Sequence, residues 1–359
     1  MFAAAQLSRF CRLAFVHPKS TGDVQEFVDA ILNFVRQNSI DLIVPITDWT
    51  LQPVSEWREL FTGMCRVALP PKAAVETAAD KYRTIEIARD LGIVTPSTWL
   101  IKTFEEVNAL PELSFPIVVK DRFSIRRVSG QSVFGSVSYA YCRADLDRIC
   151  KERIAAAGEV LVQAFTPGDG IGFSCFVTAS DVFLPFEWER IREVDPRGSA
   201  SSCRKAIRPD EKVVLTSGRL MRAIGFAGIA MVEYKRSPAG LVLMEINGRP
   251  WGSIALPIAC GLDYPRYLID WWLDGSLPPN EIQYRESTVC RRIVSELSYL
   301  SNIHKGKPEN WSRPYPNFWS SLLKIAVPWY PGMHYDDLWL SDPRPGLAEI
   351  RHWFAIRMK

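Results

Sequence analysis

Residues 229–235 (Ile-Ala-Met-Val-Glu-Tyr-Lys) and 241–247 (Leu-Val-Leu-Met-Glu-Ile-Asn) are two apolar runs separated by Arg236-Ser237-Pro238-Ala239-Gly240. Two such runs around a short turn predict an antiparallel hairpin. Side chains two residues apart on a strand share a face, so Glu245 and Asn247 point the same way. Centring the turn near Pro238 sets Glu233 across from residues 243–245. Two carboxylates and an amide oxygen then converge on a sheet otherwise built from Ile, Met, Val and Leu, and burying them unpaired is costly. A hard divalent cation removes that cost. Oxygen-only donors suit magnesium, which keeps some waters and takes its remaining ligands from phosphate groups. A half-exposed hairpin with both acids in water satisfies the same pattern.

Lysines supply the complementary charge. Lys120 ends the apolar strand Ile117-Val118-Val119, where it either snorkels to the rim or faces an anion in a cleft. Lys81 follows Asp80 at the start of a helix, where an anion gains from free N–H groups and the dipole. The loop 128–136 holds Ser129 and Gly130 and can turn its backbone N–H groups toward phosphates. It matches neither G-x-x-x-x-G-K-[ST] nor G-x-G-x-x-G. Arg190, Arg192, Arg204 and Arg249 lie near the candidate metal strands in sequence, and arginine binds carboxylates and phosphates bidentately. Arg249 is the most constrained of these, two residues past Asn247 and followed by Pro250-Trp251-Gly252.

The rest of the chain reads as mixed α and β. Asp23 and Glu26 form a capping-box pattern ahead of apolar residues at helical spacing. Short strands are expected at 42–44, 66–69, 98–101, 115–120 and 160–165, and helices at 80–91 and 144–157. Residues 129–138 read as a mobile loop or hairpin. Two strands joined at Ala179-Ser180-Asp181 are expected over 173–189. Helices follow at 209–224, 253–260 and 264–273. Beyond Gly275 the composition shifts: five of the twelve tryptophans lie there, among many prolines. This reads as a strap that packs on the domain or on a second copy, since tryptophan supplies much buried area.

Charge and cysteine usage narrow the function classes. A net charge of +3 without long basic runs does not suggest a nucleic-acid partner. Eight cysteines are scattered singly with no C-x-x-C, which argues against a zinc ribbon or a redox dithiol. No apolar stretch approaches the ~20 residues that span a bilayer, and no signal peptide is evident, so a cytoplasmic protein is expected.

Met244-Glu245-Ile246-Asn247-Gly248-Arg249 resembles the E-x-N-x-R element of the ATP-grasp superfamily. Residues 228–235 resemble its first metal strand. Asp80-Lys81, Pro116–Lys120 and 160–168 follow in matching order. The match runs from about residue 10 to 275 and is nearest to the carboxylate–amine ligase branch. The resemblance implies an α/β (α+β) ATP-grasp fold, with two α+β subdomains at 76–165 and 166–275 clasping ATP. A partial Rossmann-like domain at 1–75, shortened at its start, would precede them, and a Trp/Pro-rich extension at 276–359 would follow.

It also implies residue roles. Lys81 and Lys120 would contact phosphates, with Ser129 and Gly130 over them. Gln163, Ala164 and Phe165 would meet the adenine and Asp169 the ribose. Glu233, Glu245 and Asn247 would hold magnesium, as two ions, with manganese as a substitute. Arg249 would balance charge on the transferring phosphate, while Arg192 and Arg204 would receive the acid substrate or the reaction intermediate. The implied reaction joins a small carboxylic acid to an amine through an acyl phosphate. A phosphotransferase or a non-catalytic ATP-binding regulator are the alternatives. Small-molecule partners are expected, with no nucleic acid or membrane, and the tail permits a homodimer.

Overall fold

The structure is a computed structural model that describes residues 3–128, 131–238, 240–280 and 283–357. In the N-terminal region, Asp23 accepts hydrogen bonds from the N–H groups of Gln25 and Glu26 and starts α1 (Val24–Asn38). Its buried face, including Phe27, Val28 and Leu32, packs with Leu51, Val54 and Phe61. The short parallel pair β1 (Leu42–Ile43) and β2 (Arg66–Val67) stands beside α2 (Asp48–Glu56) and α3 (Lys72–Ala79). Both of these helices lie in stretches whose sequence carries little helical periodicity. Thr47 and Thr50 form a reciprocal capping box that opens α2.

The middle region contains α4 (Lys81–Asp90), β3 (Thr98–Ile101), α5 (Phe104–Asn108), β4 (Ile117–Lys120), β5 (Ile125–Val128), β6 (Gln131–Phe134), β7 (Val137–Ala140), α6 (Arg143–Ala157) and β8 (Val160–Ala164). Four of these strands form an antiparallel sheet in the order β3-β8-β4-β7. Helix α6 buries Leu146, Ile149 and Cys150 against it. Strands β5 and β6 pair as a separate hairpin. The stretch read as a loop or hairpin therefore contributes β6, while Ser129 and Gly130 lie outside the described residues.

The third region begins with β9 (Asp169–Val177), β10 (Val182–Glu193), β11 (Ser201–Ile207), α7 (Glu211–Ala223), β12 (Gly228–Ser237) and β13 (Gly240–Asn247). It continues through α8 (Ala255–Cys260), α9 (Tyr264–Asp274), β14 (Val289–Arg291), α10 (Ile293–His304), α11 (Phe318–Ala326), β15 (Met333–Tyr335) and α12 (Arg344–Arg357). The sheet order is β13-β12-β9-β10-β11-β14-β15, with only β14 and β15 parallel. One face buries Phe173, Cys175, Ala230 and Val232 against α7. On the other, Phe186, Trp188 and Met231 pack with Trp251, Tyr264 and Leu268. The tail thus extends the sheet as well as covering it. Among the described residues no helix is long and apolar enough to cross a membrane.

Candidate active site

Glu233 and Glu245 are direct cross-strand partners in the β12–β13 ladder, and Met231 faces Asn247 in the same register. Opposite residues of an antiparallel pair hold their Cβ atoms about 5 Å apart. A bulge between Glu233 and Tyr234 shifts the register by one residue and sets both carboxylates side by side, within the range that the turn predicts. Burial pushes the Glu233 carboxyl above the usual carboxylate range; the Arg190 cation opposes this and the Glu245 charge adds to it.

Arg190 donates to Glu233, with Nη2 2.5 Å from Oε2. Its Nη1 also meets Glu193 Oε1 and the Ser199 carbonyl, each at 2.9 Å. Burial works against the Arg190 charge, but Glu233 and Glu193 outweigh it and hold the guanidinium above its ordinary value. Two glycines make this reach feasible. A Cβ on Gly170 would stand 2.6 Å from Arg190 Cδ, and one on Gly172 would stand 2.1 Å from the Trp188 ring. Trp188 and Arg190 therefore lie across β9 where it has no side chains. The sequence signal is Gly-x-Gly at 170–172 facing Trp-x-Arg at 188–190, which reads as a surface strand until the pairing is known.

The two lysines converge on the same place. Asp80 caps α4 by accepting from the N–H groups of Tyr82 and Arg83, and it is gripped by Arg122. This fixes Lys81, whose Nζ donates to Ser124 Oγ at 2.8 Å. Lys120 is buried at the end of β4, between Val137 and Leu161. Burial lowers its pKa to about 8, against the raising effect of Glu245 and Glu233 and with Lys81 adding to the drop.

A cavity of about 310 Å³ lies between the two sheets, and Lys81, Lys120, Gln163, Ala164, Phe165, Glu233 and Glu245 all line it. At one end Gln163 donates to Thr98 Oγ1 at 2.8 Å, and the Ala164 N–H bonds to the Ser97 carbonyl. The Phe165 ring is covered from the tail: Trp311 meets it edge-on at 5.4 Å, and the Arg313 guanidinium sits 4.8 Å from its centroid. Trp311 also packs edge-on against Tyr139. The tail's tryptophans were expected to supply buried area; Trp311 does so, while Trp319, Trp329 and Trp339 are exposed.

A second, narrow space shares Lys81 and Glu245 with the first and is also lined by Asp48, Ser124, Asn247 and Arg249. Arg249 grips Asp48 bidentately, through Nε at 2.7 Å and Nη2 at 2.8 Å. Burial opposes the Arg249 charge, but Asp48 and the more distant Glu245 and Glu233 raise its pKa. Asp48 was not singled out in the sequence, because nothing marks an acid 201 residues from its partner.

Three expected residues are elsewhere. Arg192 forms a bidentate pair with Glu296 of α10. Arg204 is 1% exposed and donates to Asp336 at 2.6 Å and to the Ser253 carbonyl. Neither lines the cleft. A bulge in β10 between Arg190 and Arg192 breaks the alternation that would set both on one face. Asp169 is exposed at the start of β9, next to Gly170, which does line the cavity.

The donor set fits a hard cation. Glu233, Glu245 and Asn247 offer only oxygen for binding, with no thiol or imidazole among them, and the raised Glu233 carboxyl would be relieved by a divalent charge.

The chain is similar to known proteins over one family model and in its fold. A family model described as ATP-grasp in the biosynthetic pathway with Ter operon matches residues 186–294, from β10 through β14. No curated protein sequence matches the chain. Among solved structures, an L-amino acid ligase from Bacillus licheniformis aligns with a TM-score of 0.54 at 16% identity, over 72% of this chain and 64% of that one. The biotin carboxylase domain of Hydrogenobacter thermophilus 2-oxoglutarate carboxylase, solved with MgADP and bicarbonate, aligns at 0.60 and 16%, over 77% and 62%. An ADP complex of N5-carboxyaminoimidazole ribonucleotide synthetase aligns at 0.57 and 16%, over 83% and 82%. The chain thus spans just under two thirds of the first two proteins. The shared property is the fold: two sheets facing each other across a cleft.

Proposed function

We propose that the chain, which matches an ATP-grasp family model over residues 186–294 and shares the fold of ATP-dependent enzymes, is a Mg-ATP-dependent ligase joining a carboxylic acid to an amine. The observation that carries this reading is Glu233 opposite Glu245 on a cavity that also takes in Lys81 and Lys120. Paired acids hold a cation, and paired lysines hold the phosphates that cation bridges. Biotin carboxylase and the synthetase named above were solved with ADP, which supports the nucleotide assignment.

In this reading a carboxylate oxygen of the acid attacks the γ-phosphorus of ATP. The bond to the β,γ-bridging oxygen breaks and ADP leaves. The amine nitrogen then attacks the acyl carbon, phosphate departs and the amine proton passes to solvent. Lys120 and Lys81 bind the phosphates, Phe165 and its neighbours seat the base, and Arg249 faces the transferring group. Glu233, Glu245 and Asn247 would hold magnesium, which neutralises and orients phosphate oxygens. Arg190 keeps Glu233 in place. The chemistry needs no side-chain nucleophile, because charge stabilisation and alignment carry it.

The test is ADP release with Mg-ATP over a matrix of acids and amines, beside Glu245→Ala. Turnover that requires both an acid and an amine and is lost in the variant supports the ligase. A stable phosphorylated product formed without amine would replace it with a phosphotransferase. Magnesium-dependent ATP binding with no turnover in any pair would leave a nucleotide-binding regulator.

A further inference from the structure

A third cavity, of about 810 Å³, opens from the Arg249 end of the narrow polar space and shares Asp48, Ser124 and Arg249 with it. It has the size of a small-molecule site. Its walls come from separate elements: Trp49 of α2, Phe134 of β6, Ile46 before α2 and Ile269 of α9. Trp49 and Phe134 meet edge-on at 5.2 Å. All four side chains are large, apolar and exposed, from 38% for Ile269 to 62% for Ile46. Exposed apolar side chains gathered around one concavity mark a binding site more often than chance exposure does. Among the described residues, the charged side chains lining it are Asp48, Arg249 and Arg292; Arg249 pairs with Asp48 and Arg292 with Glu349.

We propose that this pocket selects the acid substrate, and that the acid is a monocarboxylate with a bulky apolar body of aryl or branched-alkyl size. The inference rests on the ligase reading for its chemistry. The group that reaches Glu245 and Asn247 from this pocket must pass Arg249, and in acyl-phosphate formation that group is the carboxylate. The apolar body then stays behind, between Trp49 and Phe134. A dicarboxylate or a sugar acid would set its second polar group against these side chains at a desolvation cost, while Arg292 on the same pocket is already paired with Glu349.

The probe is 3-phenylpropionate, compared with acetate and succinate, on the full chain. Calorimetry in the presence of MgADP measures binding, and ADP release with a mixed amine pool measures turnover. The expected result is 3-phenylpropionate binding at least tenfold tighter than acetate, with succinate no better than acetate. Trp49→Ala and, separately, Ile269→Asp should each weaken 3-phenylpropionate at least fivefold and leave ADP affinity unchanged. Both residues are partly exposed, and retained ADP binding certifies the fold. Tight binding that responds to both variants without turnover keeps this inference and overturns the ligase. Turnover confined to small or dicarboxylic acids keeps the ligase and overturns this inference. Absence of both overturns both.

Discussion

Arg190 crosses β9 to set its Nη2 2.5 Å from Glu233 Oε2, along a track that Gly170 and Gly172 leave bare. The metal-facing acid is thus held from a strand two positions away in the sheet. Gly172→Ala puts a methyl group where the Trp188 ring lies. Overpacking of this kind costs about 1–3 kcal/mol, and the urea midpoint should fall accordingly. An unchanged midpoint would mean that Trp188 has room to move.

Lys120 gives a signed pH dependence. Its pKa is about 8 in the folded protein, below its ordinary 10.5. From about pH 8 to about 10.5 the unfolded chain holds a proton that the folded one lacks, so this residue makes stability rise with pH across that window. The full effect is on the order of 3 kcal/mol. Lys120→Met should therefore be more stable than the wild type at pH 7, with the two curves converging toward pH 10.5. Denaturant titrations at four pH values would show it, and parallel curves would refute it.

The same lysine should couple nucleotide binding to protons. Phosphate oxygens favour the charged ammonium, so binding at pH 8–9 takes up a proton and affinity declines as pH rises past about 8. Calorimetry with ADP in buffers of different ionisation enthalpy reads this directly. Lys120→Met should abolish the uptake.

The Arg204–Asp336 pair is a structural contact, and a mutant cycle distinguishes that from a catalytic role. Asp336→Ala strands a buried guanidinium and should cost about 3–5 kcal/mol. The double variant Arg204→Met, Asp336→Leu should recover most of that loss, because a well-packed apolar pair often replaces a buried ion pair without penalty. ATP turnover by the double variant should stay within about threefold of wild type. A collapse of turnover with stability restored would return Arg204 to the active site.

Trp311 should report on the base end of the cleft. It is buried beside Phe165 and Tyr139, both of which line the cavity. Trp311→Ala should cost about 3–5 kcal/mol of stability and weaken ADP binding at least fivefold at a temperature where the variant is folded. Equal ADP affinity would make the tail a mere cover.

The sequence told most where the controlling interaction was local. Glu233 could be set opposite residues 243–245 because the hairpin turn is local, and a bulge between Glu233 and Tyr234 then selects Glu245 within that range. Lys81 could be placed because Asp80 caps its helix. It told least where the partner is remote. Ser201–Ile207 did not read as a strand, because its buried Arg204 resembles a surface residue until Asp336 is seen beside it. Arg192 was assigned to the cleft by resemblance and by its nearness in sequence to the metal strands, and the bulge that separates it from Arg190 is announced by no residue type. Arg249 was singled out, yet its grip on Asp48 joins segments 201 residues apart and is invisible to any local pattern.

The Arg204–Asp336 contact also sets an order of events during synthesis. Arg204 emerges 132 residues before its counter-ion. Until then the Arg204 guanidinium has no carboxylate, although β9, β10, β12, β13 and β14 have all been made. A nascent chain halted between β14 and β15 would carry an open edge at β14 and an uncompensated guanidinium on β11 beside it, the kind of intermediate on which chaperones act. The residues that line the nucleotide cleft, and Trp311 with its partners Tyr139 and Phe165, would all have been made before that wait ends.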